Sequence, residues 1–232
     1  MCDNWSPQRV SDLCAATKSP AISFTYNEPT IFSEYAVDCM KKVKKYGIRG
    51  IFVTNGYMSS QCLDFIDPYI DAFNVDLKSF NEEYYRKICG AHLQPVLDTI
   101  KLLVNRGKWI EVTTLLIEGK NDSDSELKNL THFLASLSVD IPWHISAAHP
   151  EYKMTNMPVT SIKQLKHAYD IGKKSGLRYV YLGNVTSTLY DSTSCPTCHS
   201  LLIQRVGYAV VYNKLMNGTC PTCRTVIPGI WQ

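Results

Sequence analysis

From residue 20 to residue 184 the chain repeats one unit six times: a short β-branched or aromatic run followed by a longer stretch of helical periodicity. No other feature restricts the fold so strongly, because strands separated by helices pair in parallel, each helix supplying the crossover that a parallel neighbour requires. The pattern predicts strands at 21–26, 50–53, 72–76, 109–117, 143–146 and 179–182. It predicts helices at 30–46 and 60–66, a pair within 81–106, and further helices at 123–137 and 161–175. Gly47, Gly107 and Gly176 stand where helices must stop, and Ser60, Asn81, Ser123 and Ser161 where they start. The expectation is an α/β protein with a parallel sheet, either open or curled into a partial barrel.

Ser6-Pro7 reads as the cap and first position of a short helix running to about Ala16. A crossover helix normally follows a strand, so the pattern reads as if it begins just after one, leaving 21–26 as an edge strand. Beyond residue 184 the composition changes to a polar connector containing Thr186, Ser187, Thr188, Asp191, Ser192, Thr193 and Ser194. Two domains are expected, 1–190 and 191–232.

Lys and Arg number 24 against 21 Asp and Glu, a net charge of +3, and the one dense basic run, Lys41-Lys42-Val43-Lys44-Lys45, closes a helix. Cations there complement the helix dipole, which argues against a nucleic-acid patch. No run reaches the ~18 apolar residues of a membrane span, and no charged-then-apolar leader occurs. A cytoplasmic protein with no nucleic-acid and no membrane partner is expected.

The unusual polar residues fall where the predicted strands end, the rim at which parallel α/β folds collect their chemistry. They are Tyr26-Asn27-Glu28-Pro29, Thr54-Asn55-Gly56, Asp76-Leu77-Lys78, Glu118-Gly119-Lys120-Asn121, His144-Ile145-Ser146 with His149, and Gly183-Asn184. Singly, each has a plain reading: Glu28 near a helix N-terminus, Asp76 and Lys78 as a surface ion pair, His144 as a satisfied rim histidine. Recurrence at every strand end favours a polar pocket, with His149 a better ligand contact than His144.

Nine cysteines are an odd number and do not suggest a secreted disulfide framework. Four form Cys195-Pro-Thr-Cys198 and Cys220-Pro-Thr-Cys223, joined by an alternating segment, 201–215, that turns near Gly207. Two such knuckles meet the needs of a tetrahedral four-thiolate site, zinc first and rubredoxin-like iron second. A module of ~40 residues buries too little core to fold alone, so the metal acts as its staple. Gly229-Ile230-Trp231 is expected to dock back on the sheet domain. Cys14, Cys39, Cys62 and Cys89 lie among apolar neighbours and read as buried structural thiols.

The segments Ile22–Thr30, Val53–Gly56, Val75–Lys78, Trp143–Ser146, His149–Met154 and Tyr181–Asn184, together with the late cysteine pairs, resemble a radical S-adenosylmethionine (SAM) enzyme. The subgroup is similar to the AmmeMemoRadiSam-system proteins, related to pyruvate formate-lyase-activating enzymes, and the resemblance covers essentially the whole chain. It implies a partial (βα) barrel lacking its first strand, plus a zinc-ribbon-like module. It also implies a 4Fe-4S cluster on a Cys-x-x-x-Cys-x-x-Cys loop that reductively cleaves SAM to a 5′-deoxyadenosyl radical, which abstracts hydrogen from a substrate. The family's Gly-Gly-Glu-Pro stretch, which holds the SAM amine, is replaced by Tyr26-Asn27-Glu28-Pro29. Asn55, Asp76, Lys78 and His149 match further SAM contacts. A small-molecule or peptide substrate is implied, with flavodoxin or ferredoxin as electron donor.

Of the cluster loop, Cys2 alone, followed by Asp-Asn-Trp, resembles the last ligand. The chain as it stands is therefore expected to be incomplete or inactive. The alternatives are a SAM-pocket pseudoenzyme or a zinc-ribbon adaptor.

Overall fold

The computed structural model describes residues 5–185, 189–207 and 209–231. Six strands stand in chain order: β1 (Ala21–Phe24), β2 (Arg49–Thr54), β3 (Ala72–Asp76), β4 (Trp109–Leu116), β5 (Trp143–Ala147) and β6 (Val180–Gly183). The order never reverses, unlike that of a doubly wound dinucleotide fold. The chain divides into two compact units, 1–77 with 94–110, and 78–93 with 111–232.

In the first unit, β1 pairs with β2 and β2 with β3, all parallel. The register aligns Phe24, Phe52 and Phe73 into a ladder of edge-to-face rings, each neighbouring pair 5.9 Å apart, on the buried side of the sheet. α1 (Pro7–Thr17) is capped by Ser6 as its Ser-Pro start predicts. The expected helix at 30–46 is a 3-10 turn, Pro29–Phe32, then α2 (Ser33–Val43), then a second 3-10 turn stopped by Gly47 at φ +72°. α3 (Ser60–Ile66) follows β2. At Gly50 in β2 a Cβ would lie 2.6 Å from the Tyr69 carbonyl, so the close approach of that loop requires glycine. Strand β1 stops at Phe24, two residues before the pattern predicts.

The second unit begins with the short α4 (Glu82–Tyr84), continued by one π-turn, Tyr85–Cys89. α5 (Leu93–Asn105), which past its first residue belongs to the first unit, then leads into β4. Strands β4, β5 and β6 pair in parallel. α6 (Asp124–Leu137) and α7 (Ile162–Lys174) follow β4 and β5. α7 lies close on the sheet: a Cβ on Gly172 would meet the Trp143 ring at 2.9 Å. Trp143 is fully buried, and its indole N–H donates to Thr114 Oγ1 at 3.0 Å.

The late segment is a three-stranded antiparallel ribbon, β7 (Thr193–Ser194), β8 (Leu201–Val206) and β9 (Ala209–Asn213), turning at Gly207 as expected. Its core contains Cys195, Leu202, Ile203, Cys220 and Ile227 and also takes in Tyr179, the residue before β6. Trp231 packs on the ribbon's own Gly218 and Gly229 and donates to the Ile227 carbonyl, so the C-terminal tryptophan docks on the ribbon itself.

Candidate functional sites

Glu28 organises the strand ends of the first unit. Its Oε1 accepts from Thr30 N–H at 3.0 Å, Thr30 Oγ1 at 2.6 Å and Thr54 Oγ1 at 2.6 Å, and its Oε2 accepts from Asn55 N–H at 2.7 Å. The carboxylate thus caps the 3-10 turn after β1 and ties it to the end of β2. Oε2, with one donor, keeps acceptor capacity for an ammonium. Tyr26 and Asn27 are exposed beside it. Asn55 turns its Oδ1 back to Tyr57 N–H at 2.8 Å. Asp76, half-buried, is the last residue of β3.

In the second unit Lys78, also half-buried, sits in a loop fixed through its backbone. Its N–H donates to Tyr85 Oη at 3.1 Å, and its carbonyl accepts from Asn121 Nδ2 at 2.6 Å. Asn121 is buried; it also donates to the Leu115 carbonyl at 2.9 Å and accepts from Ile117 N–H at 2.7 Å. The next turn is held by Glu126, whose Oε1 accepts from Ser79 Oγ at 2.5 Å and Phe80 N–H at 2.9 Å. The sequence signals only part of this. Ser123-x-x-Glu126 has the spacing of a capping box, and the Ser123 hydroxyl does cap α6, but Glu126 serves the 79–80 turn instead. His149 is exposed just beyond β5. His144, expected as a satisfied rim histidine, is paired with Glu111, Nε2 to Oε2 at 2.6 Å. This pair was not foreseen, because Glu111 lies within a strand pattern and carries no motif.

The four late cysteines converge. Their sulfurs all lie within 4.8 Å of one another, Cys195 to Cys223 at 3.5 Å and Cys198 to Cys220 at 3.6 Å. Tetrahedral metal–thiolate bonds of ~2.3 Å place sulfurs about 3.8 Å apart, so the set fits a single metal ion. The two knuckles repeat each other: Cys195 N–H bonds the Ser200 carbonyl and Cys220 N–H the Thr225 carbonyl, both at 2.9 Å. Thr225 Oγ1 lies 3.1 Å from Cys223 Sγ, and its hydrogen bonds hold that thiol down at about 6, favouring the thiolate a metal needs. Cys14 and Cys39 are buried as expected, while Cys62 and Cys89 are half-buried; desolvation pushes all four thiols up. Among the described residues this is the one cysteine cluster suited to a metal. Cys2 lies outside them.

Residues 6–134 match the profile of the Radical SAM superfamily. An uncharacterized protein of Methanocaldococcus jannaschii is 36% identical over 97% of this chain and 66% of its own length. The 4-hydroxyphenylacetate decarboxylase activating enzyme of Clostridium scatologenes is 24% identical over 62% of this chain and 52% of its own. The chain thus spans between half and two thirds of these relatives. A domain of pyruvate-formate lyase-activating enzyme from Bacteroides vulgatus superposes with a TM-score of 0.60 at 23% identity, covering 70% of this chain and 98% of that one. Among the described residues no helix is long and apolar enough to cross a membrane.

Proposed function

We propose, from the premise that this chain belongs to the radical SAM superfamily, that it binds S-adenosylmethionine at its strand ends and serves hydrogen abstraction from a substrate. Tyr26, Asn27, Glu28, Asn55, Asp76, Lys78 and His149 carry the SAM contacts that the resemblance assigns. The observation that supports this most is the Glu28 arrangement: four donors fix the carboxylate, and one oxygen retains capacity for the SAM ammonium. Asp76 has the chemistry to accept from ribose hydroxyls, and Lys78 to pair with the SAM carboxylate.

The bound cofactor supplies radical chemistry, while these side chains bind, orient and exclude water. For the 4Fe-4S cluster the donor set does not suffice: of three loop cysteines this sequence offers Cys2. The 232 residues alone therefore bind SAM without cleaving it. The late cysteines hold zinc, or iron, as a structural staple closed to exchange by four protein ligands. The relatives' description as activating enzymes supports a peptide or protein substrate, with a reductant such as flavodoxin or ferredoxin as partner.

Calorimetric titration of SAM into the chain tests the reading. Micromolar binding that Asp76→Ala weakens at least tenfold supports it; no binding by the wild-type chain sinks it. Release of 5′-deoxyadenosine by these residues alone, after iron-sulfur reconstitution, would refute the statement on cleavage.

A further inference from the structure

In the second unit the strands alternate strictly. Val112, Trp143, Ile145, Val180 and Leu182 are buried on the helix side, and Glu111, Thr113, His144, Ser146 and Tyr181 are half-buried on the other. The register places Thr113, His144 and Tyr181 side by side on three adjacent strands. Across that row the His144 ring stacks on Tyr181, centroids 5.2 Å apart and planes 24° from parallel, while Nε2 meets Glu111 Oε2 at 2.6 Å. Tyr181 is fixed from its other end: its hydroxyl lies 2.9 Å from Thr193 Oγ1, which also accepts from Arg205 Nη1 at 2.9 Å. Ring plane and ring rotation are therefore both determined.

The direction of the Glu111 contact has a chemical consequence. A carboxylate accepts, so the proton sits on Nε2 in the neutral ring and Nδ1 carries the lone pair. Nδ1 has no hydrogen-bonding partner among the described residues. The side chains of His144 and Glu111 are 30% and 33% exposed, open enough for a small group to reach the ring.

We propose that Glu111 and His144 form a proton-accepting dyad on the half-buried face of β4–β6, serving a hydroxyl or ammonium group of the substrate. This rests on the functional reading above, in that it names what the substrate presents to this face. The substrate X–H bond breaks heterolytically, its electron pair stays on X, and the proton joins the Nδ1 lone pair. The imidazolium remains paired with Glu111, and the reverse transfer returns the proton to product. Tyr181 is a positioning residue: it holds the ring and touches no reacting atom.

The test uses the full chain with nitrogen-labelled histidine, and diethyl pyrocarbonate as a probe of the lone pair. His144, assigned by loss of its signal in His144→Gln, shows a bare Nδ1 and a protonated Nε2, and is carbethoxylated alongside the exposed His149. Glu111→Gln mixes the two tautomers and slows modification of His144 severalfold; an unchanged tautomer and rate in that variant overturn the proposal, because the carboxylate then does not set the ring. A proton resident on Nδ1, or a His144 that resists the probe while His149 reacts, overturns the proposal. SAM titration of the same sample separates the two readings: absent SAM binding counts against the proposed function, while the nitrogen signature decides the dyad.

Discussion

Thr54 Oγ1 donates to Glu28 Oε1 at 2.6 Å, so the last residue of β2 is bonded to the residue that caps the turn after β1. Both side chains belong to the apparatus that shapes the candidate SAM site, and neither is replaceable by shape alone. Glu28→Ala leaves two hydroxyls and two amides without their acceptor. At about 1.5 to 3 kcal/mol for a hydrogen bond to a charged group, with partial rescue by water, a loss of about 3 kcal/mol is expected. Glu28→Gln retains an acceptor oxygen and costs about 1 kcal/mol. Urea unfolding monitored by far-ultraviolet dichroism measures both; equal stability of Glu28→Ala and wild type would show that the carboxylate anchors nothing.

Asn121 fixes Lys78 from behind. Its amide satisfies the carbonyls of Lys78 and Leu115 and the N–H of Ile117, and the side chain is buried. Asn121→Ala is expected to destabilise the fold by about 2 to 3 kcal/mol, because one buried and two part-buried backbone groups lose their partner. It also weakens SAM binding by freeing the Lys78 loop. Asn121→Asp presents an acceptor to two carbonyls and is worse than alanine. Paired measurements of unfolding midpoint and SAM affinity check this, and an unchanged midpoint in both variants contradicts it.

The strand and helix sequence was legible because its signals are local: period-two runs, Ser or Asn starts and Gly stops report on a few neighbouring residues each. Ser6-Pro7, Gly47 and Ser161 fall where the structure puts a cap or a stop. The four-cysteine centre was legible for the same reason, since each knuckle is four residues long. Glu126, Asn121 and the Glu111–His144 pair were not. Glu126 reaches Ser79 across 47 residues, Asn121 reaches Lys78 across 43 in addition to its near neighbours Leu115 and Ile117, and His144 reaches Glu111 across 33, so only the folded register makes these long-range pairs. Glu126 misleads at short range as well, having capping-box spacing while bonding the 79–80 turn.

Acid sensitivity follows from a second anchored carboxylate, that of Glu82. The Leu93 N–H, and then the His92 ring, hold the Glu82 carboxyl below the usual range. A depressed carboxylate contributes stability that is complete above its unfolded-state value and is lost as pH falls through its folded-state value. The structure around 82–93 therefore loosens on acidification below the ordinary glutamate range, and Glu82→Gln removes that part of the pH dependence. Hydrogen exchange of the Leu93 amide against pH measures it. An amide whose protection is indifferent to pH in the wild type rules out the linkage.

The four-cysteine centre should be an all-or-none determinant of the ribbon and of little else. Its core consists of Cys195, Cys220, Leu202, Ile203, Ile227 and Tyr179, too few apolar groups to offset the chain entropy of some forty residues. Metal binding by four-thiolate modules contributes on the order of 10 kcal/mol, and where no metal-free fold exists that energy is folding energy. About one zinc or iron per chain is therefore expected, and Cys220→Ser abolishes it. Cys220 is fully buried, so the serine variant also leaves a hydroxyl in the core. The consequence should reach Tyr179, and through Thr193 the hydroxyl of Tyr181. It should spare the Phe24, Phe52 and Phe73 ladder, which belongs to the other unit. Metal analysis with residue-resolved tyrosine and phenylalanine spectra, before and after a strong chelator, tests the whole chain of reasoning. A ribbon whose Tyr179 signal survives complete metal removal would show that the core is self-sufficient and that the ion is not its staple.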